Sequence, residues 1–372
     1  MRNRYLPFII LFFSSFFAAF SQGSLPLLAL KNNDIKTAKY LIDSLTEMQV
    51  YEKNAEVWYV NGLIYENIYF SGDSTIRKMA KSPLLIAAES YVKASIDIKN
   101  NKYATIATKR LDSAVTKNLL FEGEKLEKLK KIDDAVSHFE IYAKIRERDT
   151  TGLLKLAIAA DKANNLELAE KTYLKLISLK YTTPFVYKSL FLILKQQKKY
   201  ADAQNISNEA EKSFGKDEDW VRMDIALAIE MNKIDLAMSK LDSAALKFPE
   251  NKHIYLFNIG AIYDSKDSSN LAIAYYEKAL ASNFNYFEPN YNIGGIYFQK
   301  ASAIYAEINK MPYVEYQKNG KIKEEDGHQL SKVALHYFER CYEINKDEKV
   351  KLLLKDIYRN LKLTSKLKEI DK

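Results

Sequence analysis

Apolar residues recur at helical spacing along most of the chain, and the pattern itself repeats. Ala135, Ala169, Ala203 and Ala237 stand 34 residues apart. Four residues after each comes Phe139, Tyr173, Ser207 or Leu241, and three further on Tyr142, Leu176, Ala210 or Ala244. A step of four then three keeps side chains on one helix face. Twelve residues before each alanine stands Gly123, Ala157, Phe191 or Ile225, inside a second apolar-periodic run. A short polar turn separates the two runs: KKID, NNLE, KKYA or NKID. Each unit is therefore predicted to be an antiparallel pair of amphipathic helices.

The period continues in both directions. LFNIGAIY and NYNIGGIY place Gly260 and Gly294 34 apart, and Ala272, Tyr276 and Ala279 follow the first. Trp58, Gly62 and Tyr65 mark an earlier first helix, whose partner carries Ala87, Tyr91 and Ala94. Ala38, Ile42 and Leu45 mark the second helix of a still earlier, partly eroded unit. On these residues the chain resembles tetratricopeptide-repeat (TPR) proteins. Their first helix carries a Trp or apolar residue, Gly or Ala four on, and Tyr three on. Their second carries Ala, an aromatic four on, and Ala three on; Pro249 stands where the family often closes a repeat. About eight units cover residues 24–347. The resemblance implies an all-α fold, a right-handed superhelical solenoid of antiparallel helix pairs with a C-terminal capping helix at about 347–370. As an architecture it also resembles exported TPR proteins of Bacteroidota.

Three departures from the repeat carry expectations of their own. Phe191 and Ile225 fill the glycine slot in two units, so packing there is expected to be looser or offset. Thirteen residues are inserted between Gly62 and Ala87, near 66–81, and 28 between Gly294 and Ala334, near 298–330. The second insertion is predicted to be a projecting helical hairpin that breaks at Pro312, each arm longer by about 14 residues or ~21 Å. A disordered loop is the alternative, and Gly320 and Gly327 are the weak points of the hairpin. The third departure is a pair of adjacent glycines, Gly294 and Gly295, each costing a helix about 1 kcal/mol. Gly294 aligns with Gly62, Gly123 and Gly260, so it is expected to let the second helix of its pair approach. Gly295 aligns with Ala261 and is expected to leave room for a partner's backbone or the chain's own hairpin.

The first residues, MRNRYLPFIILFFSSFFAAFSQ, follow another logic. Two arginines, an apolar run and small residues at 19 and 21 form a secretory signal over 1–21, cut before Gln22. An uncleaved membrane anchor is the alternative. No cysteine near the cut could carry a lipid anchor, and no other run approaches the ~18 apolar residues of a membrane span. What remains, 22–372, is expected to be one TPR solenoid with no transmembrane segment, exported to the periplasm; a secreted or envelope-associated protein is the alternative. Composition agrees with helices: only 11 glycines and 7 prolines occur in 372 residues. The net charge of +8 falls to +6 when Arg2 and Arg4 leave with the signal, too little and too mixed for a nucleic-acid partner. Cys341 is the single cysteine, so helix packing must hold the fold without an internal disulfide.

Chemistry is sparse. His138, His253, His328 and His336 form no zinc motif, although His328 and His336 lie eight apart. Cys341 fills a small-residue repeat slot and is expected to be a buried thiol. Asp133 and Asp134 open a helix, where carboxylates suit the helix dipole. No nucleophile elbow, phosphate loop or dinucleotide fingerprint occurs. No catalytic, cofactor or metal site is expected. The positions flanking the packing face of the first helices are better candidates: Tyr59, Lys188, Arg222, Phe257, Tyr291, Asn292 and Gly295 would line a groove for a protein or peptide partner. Asn258 and Asn292 are equivalent in adjacent units; such amides would bind peptide backbone while aromatics supply contact area. The alternative is that these residues pack on the next helix. A carboxylate clamp of the kind some TPR proteins carry would need asparagine four residues after Lys188, where this chain has Leu192. The function expected is thus a non-enzymatic interaction scaffold in the cell envelope, acting through its groove or its long hairpin. A peptide- or glycan-binding receptor module is the alternative, and a helical-repeat enzyme a remote one.

Overall fold

A computed structural model of the chain describes residues 23–96, 102–215 and 217–370. The expected signal segment 1–21 lies outside the described residues. The chain divides into two compact units, Met1–Ile206 and Ser207–Lys372. Unit 1 holds α1 (Ser24–Lys31), α2 (Ile35–Thr46), α3 (Ala55–Phe70), α4 (Ser74–Arg77), α5 (Pro83–Ala94), α6 (Lys102–Arg110), α7 (Thr116–Lys128), α8 (Ile132–Ile145), α9 (Thr150–Lys162), α10 (Leu166–Ser178) and α11 (Pro184–Gln196). The boundary falls inside α12 (Tyr200–Phe214). Unit 2 continues with α13 (Glu218–Glu230), α14 (Ile234–Lys247), α15 (Lys252–Asp264), α16 (Ser269–Ser282), α17 (Phe287–Ile308), α18 (Tyr313–Glu315), α19 (Lys321–Ile344), α20 (Glu348–Asn360) and α21 (Thr364–Glu369). Between turns the described residues are helical, as the periodicity predicts. Within unit 1 the repeat pairs are α1–α2, α3–α5, α7–α8 and α9–α10; within unit 2 they are α13–α14, α15–α16 and α17–α19.

Six first helices, all but α3 and α17 where the insertions fall, stop in the same way. The residue five before the repeat alanine is left-handed: Asn33, Lys130, Asn164, Lys198, Asn232 and Asp267 have φ between 56° and 63°. The next N–H then reaches back five residues, from Lys131 to the Leu126 carbonyl (2.9 Å), Lys199 to Leu194 (2.8 Å) and Ser268 to Tyr263 (2.9 Å). These are Schellman stops, which satisfy carbonyls the helix end would otherwise leave bare. The same residue then accepts the first hydrogen bond of the second helix, as Lys131 does from the Ala135 N–H at 3.0 Å. One turn therefore both ends a helix and starts its antiparallel partner.

The pairs close through glycine. A Cβ on Gly62 would lie 2.6 Å from the Tyr91 ring, one on Gly123 2.5 Å from Phe139, one on Gly260 2.6 Å from Tyr276 and one on Gly294 3.1 Å from Phe338. Every one of those rings is essentially fully buried. The bare backbone on one helix is thus the seat of the aromatic four residues after the alanine on the other. Gly152 does the same between pairs, taking the ring of Tyr142 from the preceding helix.

The expectation of looser or offset packing holds at Ile225, where α13 and α14 approach closely at far fewer points than the glycine-seated pairs do. Phe191 is 1% exposed, and Ile225 and Leu241 share one buried cluster in unit 2. At Ile225 two medium side chains, Ile225 and Leu241, replace the glycine and the ring and fill the wider gap; in the other unit the ring, Phe191, is on the first helix and Ser207 stands four after the alanine.

Around 66–81, α3 runs on to Phe70 and α4 fills the connection. The larger insertion is a helical hairpin. α17 has 22 residues and α19 has 24, against 13 and 14 in α15 and α16. The break lies at Met311–Pro312, and a π-helical turn, Tyr316–Gly320, leads into α19. Gly327 and Gly320 are not its weak points. A Cβ on Gly327 would sit 2.9 Å from the Tyr305 ring, and one on Gly320 would meet the Tyr316 ring. Both glycines are close-approach points, and Tyr305 Oη and Ser331 Oγ join the arms at 3.2 Å. α20 then covers the last pair, burying Val350, Leu354 and Ile357 against the cluster of Phe338 and Cys341.

A lysine in the left-handed region carries a Cβ–carbonyl clash of about 1–2 kcal/mol that glycine avoids. Lys198→Gly is accordingly expected to raise unfolding stability by about 0.5–1 kcal/mol after the extra unfolded-state entropy is subtracted. Urea denaturation of the full chain measures it; an unchanged or lowered midpoint would contradict the turn assignment.

Candidate interaction surface

Within each unit, polar contacts tie first helices to first helices. Glu124 and Glu127 on α7 receive Lys155 (2.8 Å) and Lys162 (2.6 Å) from α9, and Tyr69 on α3 donates to Glu122 at 3.1 Å. In unit 2, Glu218 on α13 receives the Tyr255 hydroxyl of α15 at 2.6 Å. The first helices thus form a layer with a face of its own, and the predicted residues lie three positions before, two before and one after the glycine slot of that layer.

Tyr59, half-buried on α3, stands between the rings of Tyr91 (6.1 Å) and Tyr103 (5.6 Å). Beneath it Tyr91 donates to the buried Glu66, with Arg110 at 3.4 Å from the same carboxylate. Burial first, and the hydrogen bond to Glu66 second, raise the Tyr91 phenol, so it stays a donor. Lys188 is half-buried on α11. Its helix neighbours at i−3 and i+4, Phe185 and Leu192, are 50% and 53% exposed, an apolar pair on that face.

In unit 2, Arg222 has internal partners. Its guanidinium bonds Glu218 at 2.8 Å and lies 3.4 Å from Tyr255 Oη, while Asn251 also donates to Glu218 at 2.9 Å. Hydrogen bonds from Tyr255 first, then from Arg222 and Asn251, hold the Glu218 carboxyl below its usual range. This clamp joins α13 to α15. Phe257 and Asn292 are brought together by Tyr276: the Phe257 ring lies 5.5 Å from it, and Asn292 Nδ2 donates to its hydroxyl at 3.0 Å. Burial, with the Asp264 charge adding to it, pushes that phenol up to about 12. Phe257 also meets Tyr286 (5.4 Å), which His253 abuts edge-on at 5.2 Å. Tyr291 stacks on Phe287 and meets Phe338, the ring seated by Gly294, each at 5.8 Å. Beside it Gly295 is different from every packing glycine: a Cβ there would meet nothing within 4 Å.

Sequence reasoning missed Phe185, although it falls on the Lys188 face at helical spacing. Tyr286 was missed too; it sits in the turn before α17 and no periodic slot marks it.

Other chemistry is quiet. Cys341 is buried, and burial first, with the charges of Glu288 and Asp347, pushes its thiol up to about 12, far from a reactive thiolate. His328 lies against Tyr305 and His336 against Tyr337. Among the described residues no group of three or more His, Cys, Asp or Glu is placed to hold a metal ion, and no helix is long and apolar enough to cross a membrane. A cavity of about 680 Å³ lies over Leu153, Leu156 and Leu168 with Lys144, Lys171 and Lys175 around it; none of the predicted residues lines it.

The 34-residue register, the Schellman-linked pairs and the glycine seats define an all-α helical-repeat fold of tetratricopeptide type. The chain matches no family model and no curated protein. Among solved structures it is similar to YrrB, described as a TPR protein with an unusual peptide-binding site, with 13% identity, a TM-score of 0.37, and coverage of 47% of this chain and 91% of that one. It is similar to MamA from Desulfovibrio magneticus RS-1 at 14% identity and a TM-score of 0.38, covering 46% and 96%. A tetratricopeptide repeat protein from Parabacteroides merdae shares 14% identity at a TM-score of 0.30, over 70% and 91% of the two chains. These are likenesses of fold alone.

Proposed function

We propose that this chain is a non-enzymatic scaffold of the cell envelope that holds a protein or peptide segment on its first-helix face. The observation that carries the proposal is the open space at Gly295. A glycine inside a helix costs about 1 kcal/mol relative to alanine, and the other repeat glycines repay that by seating a ring. Gly295 seats nothing in this chain, which removes its own hairpin as the reason for the glycine. It leaves a bare stretch of helix beside the Tyr291 ring and the Asn292 amide. That combination suits an extended backbone: a close approach, the Asn292 amide oxygen to accept from its N–H groups while Nδ2 stays on Tyr276, and aromatic area for contact. Phe185, Lys188 and Leu192 offer similar apolar and basic contact on unit 1. The sparse chemistry and the secretory start of the sequence support the rest of the reading.

Peptides selected by display on the chain begun at Gln22 provide the test. Gly295→Ala should fold and gain about 1 kcal/mol of stability. Gly295→Leu should fold, because its site is open, yet weaken the selected peptides by roughly tenfold or more. Gly72→Leu, at another open glycine, should not. Equal binding by wild type and Gly295→Leu would overturn the site. Export is tested separately: protein recovered from its own cells is expected to begin at Gln22, and a chain retaining residues 1–21 would contradict cleavage.

A further inference from the structure

We infer that the tip of the α17–α19 hairpin docks on an anionic lipid-bilayer surface. The segment 309–323 carries Lys310, Lys318, Lys321 and Lys323 against a single acid, Glu315. Lys323 is paired with Glu307 across the arms. Among the described residues no carboxylate lies within ion-pair distance of Lys310, Lys318 or Lys321. Interleaved with them are large apolar side chains that cover nothing. Tyr313 is 76% exposed, Val314 67% and Ile322 66%. Side chains of this size turned to water so close together mark an interaction surface.

The mixture identifies the partner. A bilayer's headgroup boundary accepts aromatic and aliphatic groups at its edge while lysines extend to anionic phosphates above them. Each lysine near such a surface contributes about 1 kcal/mol, so three should strengthen binding roughly 100-fold over a neutral membrane. The charge order along the hairpin adds direction. Glu324, Glu325 and Asp326 follow immediately down α19. The basic tip is drawn to an anionic surface and the acidic band behind it is repelled, which favours an end-on approach. The arms are held for that role by the Tyr305–Ser331 bond and by the Tyr305 ring seated on Gly327. This inference does not rest on the first-helix face, and each can fail without the other.

Vesicle co-sedimentation of the chain begun at Gln22 tests it. Vesicles with about one-third phosphatidylglycerol should bind the chain, and pure phosphatidylcholine vesicles should bind it weakly. The triple variant K310Q/K318Q/K321Q should lose roughly 100-fold in partitioning, and Tyr313→Ser with Ile322→Ser roughly tenfold. Thermal melts of these variants should match wild type, because the side chains are exposed. Absent binding to anionic vesicles, or binding unchanged by the tip substitutions, would overturn the proposal. So would tip variants that alter the mass in solution yet leave vesicle binding intact, which would make the tip a contact between copies.

Discussion

An aromatic ring that must be fully buried between two helices needs a place where one helix has no side chain. Gly62, Gly123, Gly260 and Gly294 are such places, and Tyr91, Phe139, Tyr276 and Phe338 are the rings they receive. The seat sets how near the helices of a pair lie. It also explains why a chain poor in glycine places so many of them within helices. The loss in helix propensity, about 1 kcal/mol each, is offset by ring burial worth about 1.5–3 kcal/mol.

The seat also explains what happens where it is missing. Without a seat α13 and α14 approach closely at fewer points, and Ile225 and Leu241 fill the space as one buried cluster. Tyr142 puts a ring where other units carry a small residue or leucine, and Gly152 on the next helix makes room for it. The hairpin reuses the device, with Tyr305 on Gly327. At Gly152 and Gly327 a ring again sits where a facing helix has no side chain, as a close-packed interior requires. Gly295 lies outside this logic, and its functional weight comes from that contrast with its neighbour Gly294.

Much of the repeat was legible because it depends on local sequence. The helix pairs follow from a period of 34, and the seats at Gly62, Gly123, Gly260 and Gly294 follow from alignment of the units. The left-handed residues were legible in principle, since Asn, Lys or Asp stands five positions before Ala38, Ala135, Ala169, Ala203, Ala237 and Ala272. What stayed hidden depends on who meets whom in space. Gly320 and Gly327 look like helix breakers until Tyr316 and Tyr305 are seen against them. Arg222 looks like a groove cation, and its i−4 partner Glu218 was available to the eye. Tyr255 and Asn251, which complete the clamp, come from around 30 residues away. The joining of Phe257 to Asn292 through Tyr276 is likewise a product of stacking adjacent pairs.

The most direct test is a double-mutant cycle at one seat, read by urea unfolding of the full chain. Gly123→Ala should destabilise by about 1–3 kcal/mol, because the added methyl drives into the buried Phe139 ring. In a Phe139→Ala background the ring is gone, so the same substitution should no longer destabilise and should recover up to about 1 kcal/mol of helix propensity. A change of sign between the two backgrounds is the result predicted. An equal effect of Gly123→Ala in both would show that the glycine is not there for the ring, and would contradict the account.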